Sequence, residues 1–363
     1  MDRIRIIGTL LLGCLLIVSG CRREPLPDVG DGVIRFAVGA TMTSSEEPDT
    51  KFGLPKDSFI PFVSGEEVMV YARRNSDDPV FDGNSVIWDG SSWNYSPAKY
   101  WNWANSTDAY DFLALYRYTP SNVTPSTPSC NFASSPLALS VPYNPASAQY
   151  DLMLAGKRRN YNENRLAAVP LEFNHMLCAV EFKVSNTSSG KSFTFEGYHF
   201  ENLVSRGTAK VTATYDGQGN PAFSWERTRL AASIGGTTSM SAAELAEKDI
   251  PYIIASQSDF PVGHYDLMIP QNHNEKIGAN GYPTLVVDYT PTGSAQASHA
   301  HVMLKDVIDT STQAPISTWD PGIRYCYEIC IDLDGGVQVQ ATIEPWSNIL
   351  LETPGLLIPK LTP

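Results

Sequence analysis

The chain has 363 residues and a formal net charge of −13 at pH 7, with no tract of lysine and arginine. That balance excludes nucleic acid as a partner, because neutralising phosphates supplies most of such affinity, and it speaks equally against a polybasic membrane contact. The length exceeds the about 250–300 residues that one hydrophobic core usually serves, so two domains are expected.

At the N-terminus, Arg3 and Arg5 precede an apolar run over residues 6–18, which ends in Val18-Ser19-Gly20-Cys21. A basic start, a short apolar stretch and small residues before the cut describe a secretory signal, residues 1–20. The run is too short for the about 20 residues that a bilayer-spanning helix requires. Cysteine directly after the cut is the lipobox pattern of bacterial lipoproteins, in which the thiol carries a diacylglycerol. Cys21 is therefore expected to tether the mature chain to a membrane surface through acyl chains, with everything after it outside the cytoplasm. Residues 21–32 are proline-rich and polar, the composition of a flexible stalk.

From residue 33 onward the chain reads as strands and turns. Strands are predicted over 33–38, 66–72, 84–88, 110–118, 137–142, 150–155, 169–184 and 192–200. They continue over 209–215, 250–255, 265–270, 283–289, 300–305, 324–333 and 337–343. In Glu67-Val-Met-Val-Tyr-Ala72 and Val337-Gln-Val-Gln-Ala341 the apolar residues alternate, the period of a half-buried strand. Asp334-Gly335-Gly336 between two such runs predicts a tight hairpin. Only residues 242–248 look helical, with Ser241 as cap and Glu244 three residues later. Many short strands without βαβ alternation predict an all-β chain of β-sandwiches. The break is placed at 186–190, giving domains 33–187 and 188–349 and a tail over 350–363.

Cys326 and Cys330 fall on one predicted strand, about 13 Å apart, too far to bond to each other. With Cys130 and Cys178 they read as buried thiols, a cross-strand bridge from Cys178 being the alternative. No nucleophile elbow, phosphate loop or zinc-protease helix is present. His299 and His301 share a strand face but lack a clear third ligand. Asp77-Asp78 and Glu46-Glu47 sit in polar turns rather than as an acid/base pair. No catalysis, cofactor or metal is expected.

Trp88, Trp93, Tyr95, Tyr100, Trp101 and Trp103 crowd into sixteen residues. Such rings either fill a sandwich core or present a surface to a host or bacterial glycan or protein ligand. In an extended segment Trp101 and Trp103 share a face.

Several blocks in order resemble the fimbrillin-like (Mfa-like) family of Bacteroidetes, the subunits of type V pili. They are Phe62-Val-Ser-Gly-Glu-Glu-Val-Met-Val-Tyr-Ala72, Trp93-Asn-Tyr95 with Tyr100-Trp101, and Tyr110-Asp-Phe-Leu-Ala-Leu-Tyr116. Asp151-Leu-Met-Leu-Ala155 and Val169-Pro-Leu-Glu-Phe-Asn-His-Met-Leu-Cys-Ala-Val-Glu-Phe182 come next. Trp319-Asp-Pro-Gly-Ile-Arg-Tyr325 and Ile343-Glu-Pro-Trp346 close the series.

The resemblance implies two tandem transthyretin-like β-sandwiches after a lipoprotein signal peptide. It implies a structural or adhesive subunit (stalk, tip or anchor) of a fimbria at the cell outer membrane, with other pilus subunits as partners. In that family a protease cuts after an arginine near the N-terminus, the first strand leaves, and the groove accepts a C-terminal strand of the next subunit. Exposed backbone groups supply the affinity of such strand addition and side-chain pockets its register. Here the first strand corresponds to 33–38. The stretch between Phe36 and Phe62 holds no arginine, which leaves Lys51, Arg73 and Arg74 as candidate processing points. The apolar tail residues Leu350, Leu351, Leu356, Leu357, Ile358 and Leu361 form a candidate donor strand, although Pro354, Pro359 and Pro363 cannot donate to a ladder. The alternative is a monomeric surface glycan-binding lipoprotein that uses Trp88, Trp93, Trp101 and Trp103.

Overall fold

A computed structural model describes residues 32–40, 64–75, 79–118, 123–145, 150–217, 219–228, 252–254, 259–261, 266–277 and 281–345. The chain opens with β1 (Phe36–Ala40), β2 (Glu67–Arg74), β3 (Pro79–Trp88), β4 (Trp93–Asn94) and β5 (Tyr110–Tyr118). Next come β6 (Ser129–Asn131), β7 (Ala138–Tyr143), β8 (Asp151–Arg159), the short helix α1 (Tyr161–Asn164) and β9 (Val169–His175). The chain continues through β10 (Cys178–Asn186), β11 (Phe193–Glu201), β12 (Arg206–Tyr215), β13 (Pro221–Thr228), β14 (Tyr252–Ile254) and β15 (Asp259–Pro261). β16 (Asp266–Met268), β17 (Gln271–Asn272), β18 (Thr284–Pro291) and β19 (Ser298–Met303) precede β20 (Ile308–Asp309), β21 (Thr318–Trp319), β22 (Ile323–Asp332) and β23 (Gly336–Pro345). The architecture is all-β, as the turn-punctuated alternation predicts.

One sheet has seven strands in the order β1-β9-β8-β5-β2-β3-β4, and a four-stranded sheet β13-β12-β7-β6 accompanies it. Between them lies a core built from Leu113 and Leu115 of β5, Leu152 and Leu154 of β8, Leu139 and Val141 of β7, and Ala209 and Val211 of β12. A second sandwich pairs the sheet β15-β10-β22-β23-β20 with the sheet β14-β11-β18-β19. Its core includes Val180 and Phe182 of β10, Phe193 and Phe195 of β11, Leu285 and Val287 of β18, and Tyr325 and Tyr327 of β22. β10 and β22 run parallel in this sheet, and β22 turns into β23 through the hairpin expected at Asp334-Gly335.

The strand predicted over 169–184 is two strands. β9 pairs with β8 in the first sandwich, while β10 pairs with β22 in the second. Between them Met176 donates its backbone N–H to Leu152 and Leu177 accepts from Gly322. The apolar stretch 176–180 straddles this transfer and hides it, since period-2 alternation does not register a change of partner. β12 and β13 lie beyond 186–190 in sequence, yet β12 pairs with β7 over Gly207↔Tyr143 to Thr212↔Ala138. The two sandwiches are thus interleaved in sequence rather than consecutive.

β2 also differs from the half-buried strand its alternation predicts. Val68, Val70 and Ala72 enter one core while Met69 and Tyr71 face the other, because β2 sits inside a sheet covered on both faces. The third core, on that sheet's far face, joins Phe81, Phe112, Tyr116, Leu171 and Phe173 to Ile34, Phe36 and Trp101. The helix expected at 242–248 lies outside the described residues. Helix α1 was not predicted, although Asn160 and Glu163 form its capping box: each side chain accepts the other's backbone N–H, at 3.0 and 3.1 Å.

Candidate assembly strand and surface sites

The first strand occupies the edge of the seven-stranded sheet. Ile34-Arg-Phe-Ala-Val38 alternates, so Ile34 and Phe36 are buried while Arg35 and Ala37 are exposed. Among the described residues β1 has one sheet neighbour, β9, to which it runs parallel from Phe36↔Val169 to Ala40↔Phe173. Parallel pairing is slightly weaker per residue than antiparallel. The residues just before β1 are fixed differently. Ile34 donates its N–H to Lys99 O, Trp101 donates to Gly32 O (2.9 Å each), and Val169 donates to Arg35 O (2.7 Å). The Tyr95 hydroxyl donates to Ile34 O at 2.6 Å. Phe36 plugs a ring cluster, with centroids of Phe81, Phe112 and Tyr95 at 5.4, 5.8 and 5.9 Å. Burial of Ile34 and Phe36 contributes about 2–3 kcal/mol each. The strand assigned to 33–38 is therefore a short bridge to the Lys99-Tyr100-Trp101 segment followed by β1 proper.

Arg73 lies within β2, between Pro79 of β3 and Asp111 of β5, while Arg74, the last residue of β2, pairs with Tyr110 of β5 alone. Arg73 is buried, and its Nη1 donates to the carbonyls of Phe132 (2.6 Å) and Ser134 (2.7 Å). Arg74 pairs with Asp108 at 3.7 Å. A protease that binds its substrate as an extended, unpaired chain cannot engage the bond after Arg73 in the folded protein. Lys51 lies outside the described residues, as does Lys56, a second basic residue of that stretch that sequence reading passed over. Cys21 and the tail residues 350–361 also lie outside them. β23 ends at Pro345 with β22 on one side and, at Gln340-Ala341, β20 on the other.

The aromatic cluster divides. Trp101 is core: it meets Tyr110 edge-on at 4.9 Å and Phe112 at 5.8 Å. Trp88 and Trp93 are a half-buried cross-strand pair at 5.5 Å. Trp103 and Tyr100 are 77% and 60% exposed. The shared face expected for Trp101 and Trp103 does not form, because residues 103–105 coil into a 3₁₀ turn.

His299 and His301 do share the outer face of β19, and three further side chains meet them there. Asp288 of β18 accepts from His299 Nδ1 (2.5 Å) and lies 3.2 Å from His199 Nδ1 of β11, while Glu201 stands 3.8 Å from His301. His199 was invisible as a partner because it lies 100 residues from His299 in sequence. Among the described residues no group of three or more His, Cys, Asp and Glu is placed to hold a metal ion. Cys130, Cys178, Cys326 and Cys330 are free thiols, but only Cys178 is buried as expected; the other three are half-buried. Burial pushes the thiols of Cys130 and Cys326 up to about 12. The Cys326 Sγ donates to Glu181 (3.3 Å) and that of Cys330 accepts from Ser185 Oγ (3.3 Å).

The sequence profile of the fimbrillin-like family matches residues 60–346. No curated protein matches the chain. Among solved structures, a candidate cell adhesion protein from Bacteroides uniformis ATCC 8492 is 13% identical with a TM-score of 0.46, over 87% of this chain and 100% of that one. A fimbrilin from Porphyromonas gingivalis W83 is 6% identical with a TM-score of 0.40, over 86% of this chain and 97% of that one.

Proposed function

Because the chain belongs to the fimbrillin-like family, we propose that it is a structural or adhesive subunit of a type V fimbria. It is exported as a lipoprotein through Cys21, displayed at the outer membrane, and joined to neighbouring subunits by β-strand exchange between transthyretin-like sandwiches. The observation that supports exchange is the position of β1, which among the described residues is an edge strand paired in its sheet with β9 alone. If it leaves, a backbone ladder and the Phe36 pocket stand open to a donor strand.

Processing decides the subunit's place. No arginine lies between Phe36 and Phe62, Arg73 is buried between β3 and β5, and Arg74, at the end of β2, is paired with β5 and Asp108. We therefore read this chain as one that keeps β1 and its lipid. Such a subunit cannot accept a donor at that edge but can supply its own tail, Leu350 to Leu361, to a neighbour. It is then a terminal, membrane-anchored subunit. Truncation after Pro345 tests this: the shortened chain folds with unchanged melting but no longer joins other fimbrial subunits. Unchanged joining would sink the donor-strand reading.

A second reading, a monomeric glycan-binding lipoprotein, is supported only by the exposure of Trp103 and Tyr100. Saturable quenching of tryptophan fluorescence by a sugar, without concentration-dependent assembly, would favour it.

A further inference from the structure

Of the five exposed large apolar side chains among the described residues, the three most exposed, Tyr100, Trp103 and Leu166 (60, 77 and 63%), belong to segments that meet at one end of the seven-stranded sheet; Ile87 and Met303 lie elsewhere. β1 and β9 both begin there. β5 begins and β8 ends there, since Tyr110 faces Arg159 across the ladder. Tyr100 bridges to Val33. The turn after Trp103 accepts from helix α1, Asn162 N–H to Ser106 O at 3.3 Å, and α1 leads directly to Leu166. This is also where the described chain starts, at Gly32, whose carbonyl accepts from Trp101. Only eleven residue steps separate Gly32 from Cys21. Eleven residue steps reach at most about 40 Å when fully extended.

Two indole- or phenol-bearing side chains beside a tether this short have a specific chemical partner. Trp and Tyr place an apolar ring and a polar tip across the boundary between acyl chains and headgroups. Lys99 and Arg165 lie at this end of a chain of net charge −13, and such cations suit lipid phosphates. Among the described residues at this end, Asp108 pairs with Arg74, and Glu163 accepts from the Asn160 N–H.

We propose that this end of the sheet, through Tyr100, Trp103 and Leu166, rests on the phospholipid surface to which Cys21 is tethered. The inference rests on the reading of Cys21 as the lipid-bearing residue, and it adds a seated orientation to what would otherwise be a body on a loose string. The linker brings this end to the membrane first, and the exposed rings hold it there.

The test uses the full acylated chain, purified from membranes and reconstituted into phosphatidylethanolamine and phosphatidylglycerol vesicles with or without brominated acyl chains. Tryptophan emission is expected to fall in the brominated vesicles, most of that fall is expected to vanish in Trp103→Phe, and Leu166→Trp is expected to enlarge it. Intact mass of the same sample separates the two premises. An acylated chain whose emission responds identically in wild type and Trp103→Phe overturns the seated orientation while leaving the lipid reading in place. A chain without acyl groups overturns both. Loss of self-association in Trp103→Phe, with no lipid-dependent quenching in wild type, assigns the face to a second copy and likewise overturns the inference.

Discussion

His273, in the turn after β17, supplies a sharp test of how the second core is built. Its side chain is fully buried, its Nδ1 donates to Ile316 O at 3.0 Å, and its ring stands edge-on to Trp319 at 5.0 Å. The Nε2 atom has no hydrogen-bond partner among the described residues. Burial lowers the imidazole from its ordinary 6.5 to about 4. The folded protein thus holds His273 neutral, while the unfolded chain takes up a proton below pH 6.5. That difference corresponds to about 3 kcal/mol, present in full above pH 6.5 and lost as pH falls from 6.5 towards 4. About 2 kcal/mol of it disappears between pH 7.5 and 5. The comparison protein is His273→Asn, which keeps an amide donor for Ile316 and cannot titrate. Its cavity costs the same at every pH, and all other titrating groups cancel between the two proteins. Urea unfolding of both at pH 7.5, 6 and 5 should show wild type losing about 2 kcal/mol more than the variant. A difference that stays constant with pH would refute the reasoning.

Other outcomes follow from the same packing. Trp101→Ala should cost about 3–5 kcal/mol and Trp103→Ala less than about 0.5 kcal/mol, read by chemical denaturation; the reverse order would contradict the division of the aromatic cluster. With thiols pushed up to about 12, Cys130 and Cys326 should alkylate at pH 8 at least about 100-fold more slowly in the folded protein than in urea. Equal rates would mean that neither thiol is buried. Trypsin under native conditions should leave the bond after Arg73 intact, as mass spectrometry of the fragments would report. Cleavage there ahead of global unfolding would return Arg73 to the list of processing points.

Local rules carried much of the fold, and long-range pairing explains what they missed. The β22–β23 hairpin was legible because alternation on both arms and Asp334-Gly335 between them act within a few residues. The two-sided burial of β2 was not, since Met69 and Tyr71 acquire their second core only when β7 and β12 arrive from distant sequence. The transfer between sheets at Met176-Leu177 left no turn residue to mark it. β13 was overlooked although Phe223 and Trp225 alternate with Ala222, Ser224 and Glu226, the same signal used elsewhere; a more even application would have found it. In the candidate sites, the edge strand was anticipated from Ile34 and Phe36, whereas the enclosure of Arg73 depends on carbonyls 59 and 61 residues away.

The central claim is that this family member remains lipid-anchored with its first strand in place. The most direct measurement is the intact mass and N-terminal state of the protein recovered from native outer membranes. A chain that begins at acylated Cys21 and retains β1 is the predicted result. A shorter chain that begins after Lys51, stripped of lipid and β1, would contradict the account and identify a polymerising subunit instead.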